Sequence, residues 1–347
     1  MSKKNIITLK KLALDLELSI STVSRALNDH SDISEETKER VKAYANKVKY
    51  VPNLFAKGFR SHKTNIIGVI IPNIEHRFTA TLLRGIISAS ELAGYKVIIC
   101  ESFNSEKKQA ELLETMIQFG VDGVLLSLTK KTKNVDEILD MMKHIPLILF
   151  DRISDKVPCT QIIIDDEDAA FQAVEHLITI GKKRIAIIKE SDSSNVSERR
   201  YLGYLKALRK YKLEVDDAII MSSEDLSIEE GQRQTKILLS LQNKPDAIFT
   251  IIDEAGIGAI KELKKNKVKI PEEIAVVGFS NSIFSTIIKP QLSSIAQPGN
   301  RIGEVAVKYL IEEMNTDAPV NYKTIEIKTN LIIRKSSFNP LKRKTKG

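Results

Sequence analysis

The sequence predicts a small all-helical head followed by a larger α/β core of two doubly wound lobes, and three observations predict it. Residues 8–48 place apolar side chains at three- and four-residue spacing behind recognisable capping residues. From Ile66 onward, continuous Val/Ile/Leu runs alternate with helical stretches, the pattern of parallel strands buried on both faces. That alternation occurs twice, over about 66–163 and 164–290, so two similar lobes account for it. A chain of 347 residues has room for two or three such units.

In the head, Thr8 is placed to cap a helix carrying Leu9, Leu12, Ala13 and Leu16. A second helix follows Leu18-Ser19 and keeps Ile20, Val23 and Leu27 on one face. The third starts at Ser34, with Glu35 and Glu36 favourable in its first turn, and turns Val41, Tyr44, Ala45 and Val48 inward. Pro52 disfavours a helical residue before it, so "YVPN" closes the third helix. A weak helical segment and polar linker, "LFAKGFRSHKTN", lead to the core.

Strands of the first lobe are expected at "IIGVIIP", "KVIIC", "GVLLSL", "PLILF" and "QIII", and of the second at "RIAIIK", "AIIM", "AIFTI" and "IAVVGF". Helices are expected at 77–93, 105–119, 166–180, 198–211, 227–242 and 254–266.

Charge is divided unevenly. Residues 1–63 carry 13 Lys and Arg against 7 Asp and Glu, the last six residues add four basic groups, and 64–341 hold 36 basic against 38 acidic. A basic head points to a polyanionic partner, most simply nucleic acid; the six-residue end reads as a solvated tail. No run reaches the roughly twenty apolar residues of a membrane span, and the start, "MSKKNIITLKKLA", lacks the apolar core of a signal peptide. Cys100 and Cys159 read as free thiols beside strands, consistent with a reducing cytoplasm. No GxSxG elbow, HExxH, P-loop or dinucleotide GxGxxG occurs, and the five histidines form no cluster with cysteine. The chain is read as a non-enzyme without metal or cofactor. "DDED" at 165–168 reads as a surface helix start, where the dipole favours carboxylates.

The stretch "LELSISTVSRAL", Leu16–Leu27, crowds Ser19, Ser21, Thr22 and Ser24 onto a helix with Arg25, although such hydroxyls compete with helical hydrogen bonds. Two short helices around a tight turn at Glu17–Leu18 fit helix-turn-helix geometry, which leaves the second free to enter a major groove. Hydroxyls at its start suit phosphates, and a long side chain one turn later reaches base edges. Ile20, Ser21 and Arg25 are therefore the candidate base contacts, with Arg25 first because arginine–guanine pairing is the commonest specific contact. Ser19, Thr22, Ser24 and Asn28 are candidates for the DNA backbone. An ordinary helical hairpin with solvated hydroxyls is the competing account, which the basic head disfavours.

"ITLKKLALDLELSISTVSRALNDHSDISEETKERVKAYANKVKYVPNLFAKGFR" resembles the DNA-binding head of the lac repressor/galactose repressor family of transcription regulators. The likeness continues through "IIGVIIPNI", "GYKVIICES", "VDGVLLS", "LILFDR", "RRYLGYLKAL", "IPEEIAVVGFSN", "PQLSSIAQP" and "LIIRKSS". It implies a helix-turn-helix head, a hinge helix and a core of periplasmic-binding-protein type (type I). It further implies a homodimer on a palindromic DNA operator, repression as the default, and a small effector between the lobes, a sugar or sugar derivative by first choice. Expected boundaries are 1–51 for the head, 52–65 for hinge helix and linker, 66–163 with 293–318 for the first lobe, 164–290 with 320–334 for the second, and 335–347 for a basic tail.

By the same resemblance Thr37 and Asn53 join the backbone contacts, and Phe59 stands where relatives place a leucine that wedges into the minor groove. Gly58 beside it lowers helix propensity by about 1 kcal/mol relative to alanine. Ligands of doubly wound sheets sit outside the carboxyl ends of the strands, which makes His76, Phe78, Asp151, Asp253 and Ser280 effector candidates. Arg200 joins them through "RRYLG". Two features depart from sugar-responsive relatives: "GFSN", with Ser280 and Asn281, replaces "GFDD", and Leu226 replaces an aromatic platform. A partner protein in place of the metabolite, or a sugar-binding protein without regulatory role, are the alternative functions. The final "FNPLKRKTKG" holds no apolar heptad, so a dimer is expected and not a coiled-coil tetramer.

Overall fold

The computed structural model describes residues 7–51, 63–75, 77–191, 195–316 and 318–338. The chain divides into two compact units, 1–64 and 65–347.

The head is three helices, α1 (Leu9–Asp15), α2 (Ile20–Leu27) and α3 (Glu35–Lys47). Each begins where a hydroxyl takes up an orphan backbone N–H: Thr8 accepts from Lys11, Ser19 from Thr22 and Ser34 from Thr37. Leu12, Val23, Ala26 and Val41 are fully buried where the helices meet. Truncating Leu12 to alanine would cost about 2–5 kcal/mol, a large share of the stability of so small a unit.

The core contains two six-stranded sheets. The first uses β1 (Ile66–Ile71), β2 (Lys96–Glu101), β3 (Gly123–Leu126), β4 (Leu147–Phe150), β5 (Gln161–Ile164) and β11 (Thr324–Ile327) in the order β11-β5-β4-β3-β1-β2. The second uses β6 (Ile185–Glu190), β7 (Ile220–Ser223), β8 (Ala247–Thr250), β9 (Ala275–Ser280), β10 (Ser293–Ala296) and β12 (Asn330–Ile332) in the order β12-β10-β9-β8-β6-β7. All pairings are parallel except β10 with β12. The central runs, such as β1, β3 and β8, are buried along their whole length, as strands covered on both faces must be.

Helices α4 (Arg77–Leu92), α5 (Glu106–Gln118), α6 (Asp136–Met142) and α12 (Gly299–Met314) flank the first sheet. The second is flanked by α7 (Asp166–Thr179), α8 (Asn195–Lys210), α9 (Ile228–Ser240) and α10 (Asp253–Lys265), with a short α11 (Ile283–Ile287). α4 and α12 pack so closely that a Cβ on Gly85 would fall 2.1 Å from the carbonyl oxygen of Asn300. Gly203 does the same for α8 against Glu167 of α7. Cys159 is buried, Cys100 half-buried, and both are free thiols.

The chain crosses between lobes three times, and two expected boundaries are corrected by where it does so. Residues 293–318 were expected in the first lobe, but β10 pairs with β9, Ser293 opposite Val277, and extends the second sheet; only α12 returns to the first. Residues 320–334 were expected in the second lobe, but β11 pairs with β5, Ile325 opposite Ile162; only β12 belongs to the second. Each sheet thereby acquires a further strand from the end of the chain, which covers an edge that would otherwise stay open.

Candidate DNA-reading helix and interlobe cleft

The turn between α1 and α2 is tight because Glu17 takes the left-handed conformation, φ 57°, and Leu18 N–H donates to Ala13 at 3.0 Å. α2 then opens on a cluster of hydroxyls. Ser19 Oγ accepts from Thr22 N–H at 3.0 Å and lies 2.7 and 2.8 Å from the hydroxyls of Ser21 and Thr22. An N-terminus of this kind, with orphan N–H groups and the positive dipole end, favours an anion. Ser21, Ser24, Arg25 and Asn28 follow helical spacing on the side away from buried Val23 and Ala26, while Ile20, expected on the apolar face with Val23, sits at that face's edge and is 44% exposed. Ser24 is half-buried and the other four are exposed. Asn28 donates back to the Ser24 carbonyl at 2.7 Å. Arg25 is hydrogen-bonded to Asp32, whose other carboxylate oxygen is 2.9 Å from His30 Nδ1. Thr37 sits in the first turn of α3, its hydroxyl 2.9 Å from Ser34 Oγ. Asn53, Phe59 and His76 lie outside the described residues.

In the core, a cavity of about 470 Å³ lies between the lobes, at the carboxyl ends of β1, β3, β4, β6, β8 and β9. Phe78, Asp151, Arg200 and Ser280 all line it, as does Leu226. Asp151 has left-handed backbone, φ 60°, and burial pushes its carboxyl up to about 6 against the opposing pull of Arg152. Arg200 is only 4% exposed. Its Nε donates to Asp166 at 2.7 Å, its Nη1 donates to the Ile251 carbonyl at 2.7 Å, and its guanidinium stacks 3.6 Å over Phe279. Asp166 is thus no surface carboxylate, contrary to the reading of "DDED". It is the buried partner of Arg200, while Asp165 caps α7.

Asp253 is the expected effector residue that the cavity does not include. It is fully buried, accepting from Ser294 Oγ at 2.6 Å and from Ser282 N–H, and burial pushes its carboxyl up to about 7. The cause is local. α10 starts at Asp253, so the side chain turns back toward β9 and β10 and braces the turn at 280–282, while neighbouring Glu254 lines the cavity. In that turn Ser280 and Asn281 both have positive φ, 106° and 51°, Asn281 N–H donates to Ser294 Oγ at 2.9 Å, and Arg334 donates to Asn281 Oδ1 at 2.6 Å.

Sequence reasoning missed the groups that link the lobes. Lys130, beyond the end of β3, places Nζ 2.6 Å from Glu190 at the end of β6 and 2.9 Å from Asp225 beyond β7. Lys131 reaches Glu224 at 3.4 Å. The same strand-end rule that singled out Asp151 would have found Lys130 and Glu190 in "GVLLSLTK" and "RIAIIKE". Arg152, beside Asp151, donates to Asn104 at 2.8 Å. Ser127 and Ser282 line the cavity; the buried Ser127 Oγ has no hydrogen-bond partner among the described residues, whereas the Ser282 side chain is drawn to Asp253.

Residues 8–53 match the family described as bacterial regulatory proteins, lacI family. Residues 64–335 match that described as periplasmic binding proteins and sugar binding domain of LacI family. The chain is 34% identical over 330 residues to the NTD biosynthesis operon regulator NtdR of Bacillus subtilis, covering 95% of this chain and 99% of that one. It is 31% identical to catabolite control protein A of Priestia megaterium, at 95% and 99% coverage. Among solved structures, the lac repressor dimer bound to operator and the anti-inducer ONPF superimposes with a TM-score of 0.85 at 23% identity, covering 96% and 99% of the two chains. That likeness is one of fold. No helix among the described residues is long and apolar enough to cross a membrane. The chain belongs to the LacI family and is a DNA-binding transcriptional regulator, not an enzyme.

Proposed function

We propose that this regulator binds a palindromic operator as a homodimer and represses transcription, under the control of a small effector in the interlobe cleft. The observation that carries the reading is α2: Ser21 and Arg25 are exposed on the face opposite the head's own core, with Ile20 exposed beside them at the helix start. In the proposal these three read bases, Ser19, Thr22, Ser24, Asn28 and Thr37 hold the backbone with Asn53, and Phe59 wedges at the operator centre. Two copies supply two half-sites. The exposed Ile283, Phe284 and Ile287 in and around α11 are apolar surface that a second copy would cover.

The effector is proposed to be a sugar or sugar derivative. Asp151, Arg200, Ser280 and Ser127, all lining the cavity, offer both donors and acceptors to ligand hydroxyls, within a volume usual for small-ligand sites. The match of residues 64–335 to the sugar binding domain of the LacI family supports a carbohydrate.

Selection of binding sites from random duplex DNA by the purified protein, at one near-physiological salt concentration because phosphate contacts are salt-dependent, tests the operator reading. One palindrome should emerge, and Arg25→Ala should relax one symmetric base position. Weak, sequence-independent binding under all conditions, with and without a metabolite extract, would sink it. Sedimentation at micromolar concentration should give a dimer, and titration calorimetry against a sugar panel should give heat that Asp151→Asn abolishes.

A further inference from the structure

We propose that Asp32 is a positioning residue for base readout: it holds the Arg25 guanidinium in place, restricting it to one base pair. The inference rests on the reading of Arg25 as a base contact and adds a residue to it. Arg25 is grasped at both ends by one short stretch of chain. At its backbone, the Arg25 carbonyl accepts from Asn28 N–H at 3.2 Å and from His30 N–H at 3.0 Å, closing the end of α2. Asp29 takes the left-handed conformation, φ 57°, and Ile33 N–H donates to the His30 carbonyl at 3.2 Å, so the turn folds back along the helix. That fold brings Asp32 to the side chain of Arg25. One carboxylate oxygen accepts from Arg25 Nη1, and the other is 2.9 Å from His30 Nδ1. The carboxylate is therefore bonded to Arg25 on one side and lies against His30 on the other, and His30 is itself tied by its backbone N–H to the Arg25 carbonyl.

An exposed ion pair of this kind adds little to folding, and side-chain exposures of 55% for Arg25 and 44% for Asp32 put this pair in that class. A carboxylate is also an unfavourable neighbour for DNA phosphates. What it supplies is a restricted guanidinium. A free arginine has several rotamers and reaches phosphates or any base acceptor, whereas one bonded through Nη1 presents its remaining donors in one direction. Asp32 is thus expected to exchange some general affinity for discrimination at a single position.

The test compares wild type, Arg25→Ala and Asp32→Asn as full-length protein, by site selection and by competition against random duplex DNA across a salt series. Arg25→Ala should erase the preference at one symmetric position, a loss of about tenfold or more. Asp32→Asn should loosen that same position about threefold or more, leave the other positions as they were, and keep or raise affinity for random DNA. A merely structural role would instead weaken binding to every sequence alike, and that result overturns the proposal. So does an unchanged preference in Asp32→Asn, or a change at another position, which would make Asp32 a base contact itself. If Arg25→Ala alters no position, the underlying reading of Arg25 fails, and Asp32 falls with it.

Discussion

On α2, Arg25 carries its charge in the open, with a partner, Asp32, nearly as exposed as itself. In the core, Arg200 is 4% exposed, its partner Asp166 likewise, and an aromatic ring covers the guanidinium. The two arginines serve opposite purposes. A residue that must meet DNA has to keep its solvation until the partner arrives, because a buried cation could not be extracted cheaply. A residue that shapes a cavity has to be immovable before the ligand comes, so that the ligand does not bear the ordering cost. Burial supplies that rigidity in the cleft, whereas a folded-back turn supplies it on α2.

The largest expected effect tests that difference directly. Arg200→Ala leaves Asp166 buried and unpaired and strips the Ile251 carbonyl of its donor, a loss of about 3–5 kcal/mol. Arg25→Ala should shift stability by about 0.5 kcal/mol or less. Denaturant unfolding of both variants measures this. Equal losses, or a core that tolerates Arg200→Ala, would remove the distinction between the two sites.

Acidification should separate the regions next. An acid whose folded pKa lies above its unfolded value binds more protons folded than unfolded, so it penalises folding at high pH, and the penalty is relieved as pH falls. Burial places Asp253 at about 7 and Asp151 at about 6, against an ordinary 3.8. Between pH 8 and 5 the core should therefore gain stability, on the order of 2–4 kcal/mol. The head runs the other way. Lys11 and Tyr44 hold Asp15 below its usual range, and Lys42 does so for Asp29. Their contribution is present above about pH 4 and lost below it. Calorimetry of wild type and Asp253→Asn across pH 8 to 5 checks the core: wild type should rise and the variant should rise less. A flat or falling wild-type curve would show that Asp253 is ionised throughout.

The same contrast explains what could be read from the chain alone. The head's helices were legible because caps and apolar faces lie within a few residues of each other: Ser19 and Thr22, Ser34 and Thr37. The central strands were legible because both faces are buried, leaving unbroken runs such as "IIGVII". β10 and β11, "SSIA" and "TIEI", were not. They are short and partly polar, and β11 joins β5, about 160 residues earlier in the chain. In the cleft, strand ends located Asp151 and Ser280 but could not say which way a side chain turns. Asp253 turns inward to Ser294, and Glu254 takes the place expected for it. Lys130 escaped notice because its meaning lies in Glu190 and Asp225, on the other lobe.

Within the core, Lys130 gives the smallest of these effects. Its ammonium crosses from the first lobe to the second with side-chain exposure of 14%, against 11% for Glu190. A methionine there keeps most of the aliphatic packing and removes only the charge, so Glu190 loses its cation at a cost of about 1–2 kcal/mol. The pairs connect different lobes, so the cost falls on the arrangement in which the lobes are close. A shift of about 1 kcal/mol changes the ratio of closed to open lobes about fivefold. Small-angle scattering of Lys130→Met should show a larger mean separation between lobes, and raising salt from 0.1 to 1 M should mimic the variant only weakly, because sheltered pairs are poorly screened. If scattering and melting are both unchanged, the three chain crossings, and not the Lys130 pairs, set the spacing of the lobes. The exposed Arg25–Asp32 pair should respond to the same salt far more strongly, which again separates a charge kept for a partner from one kept for the fold.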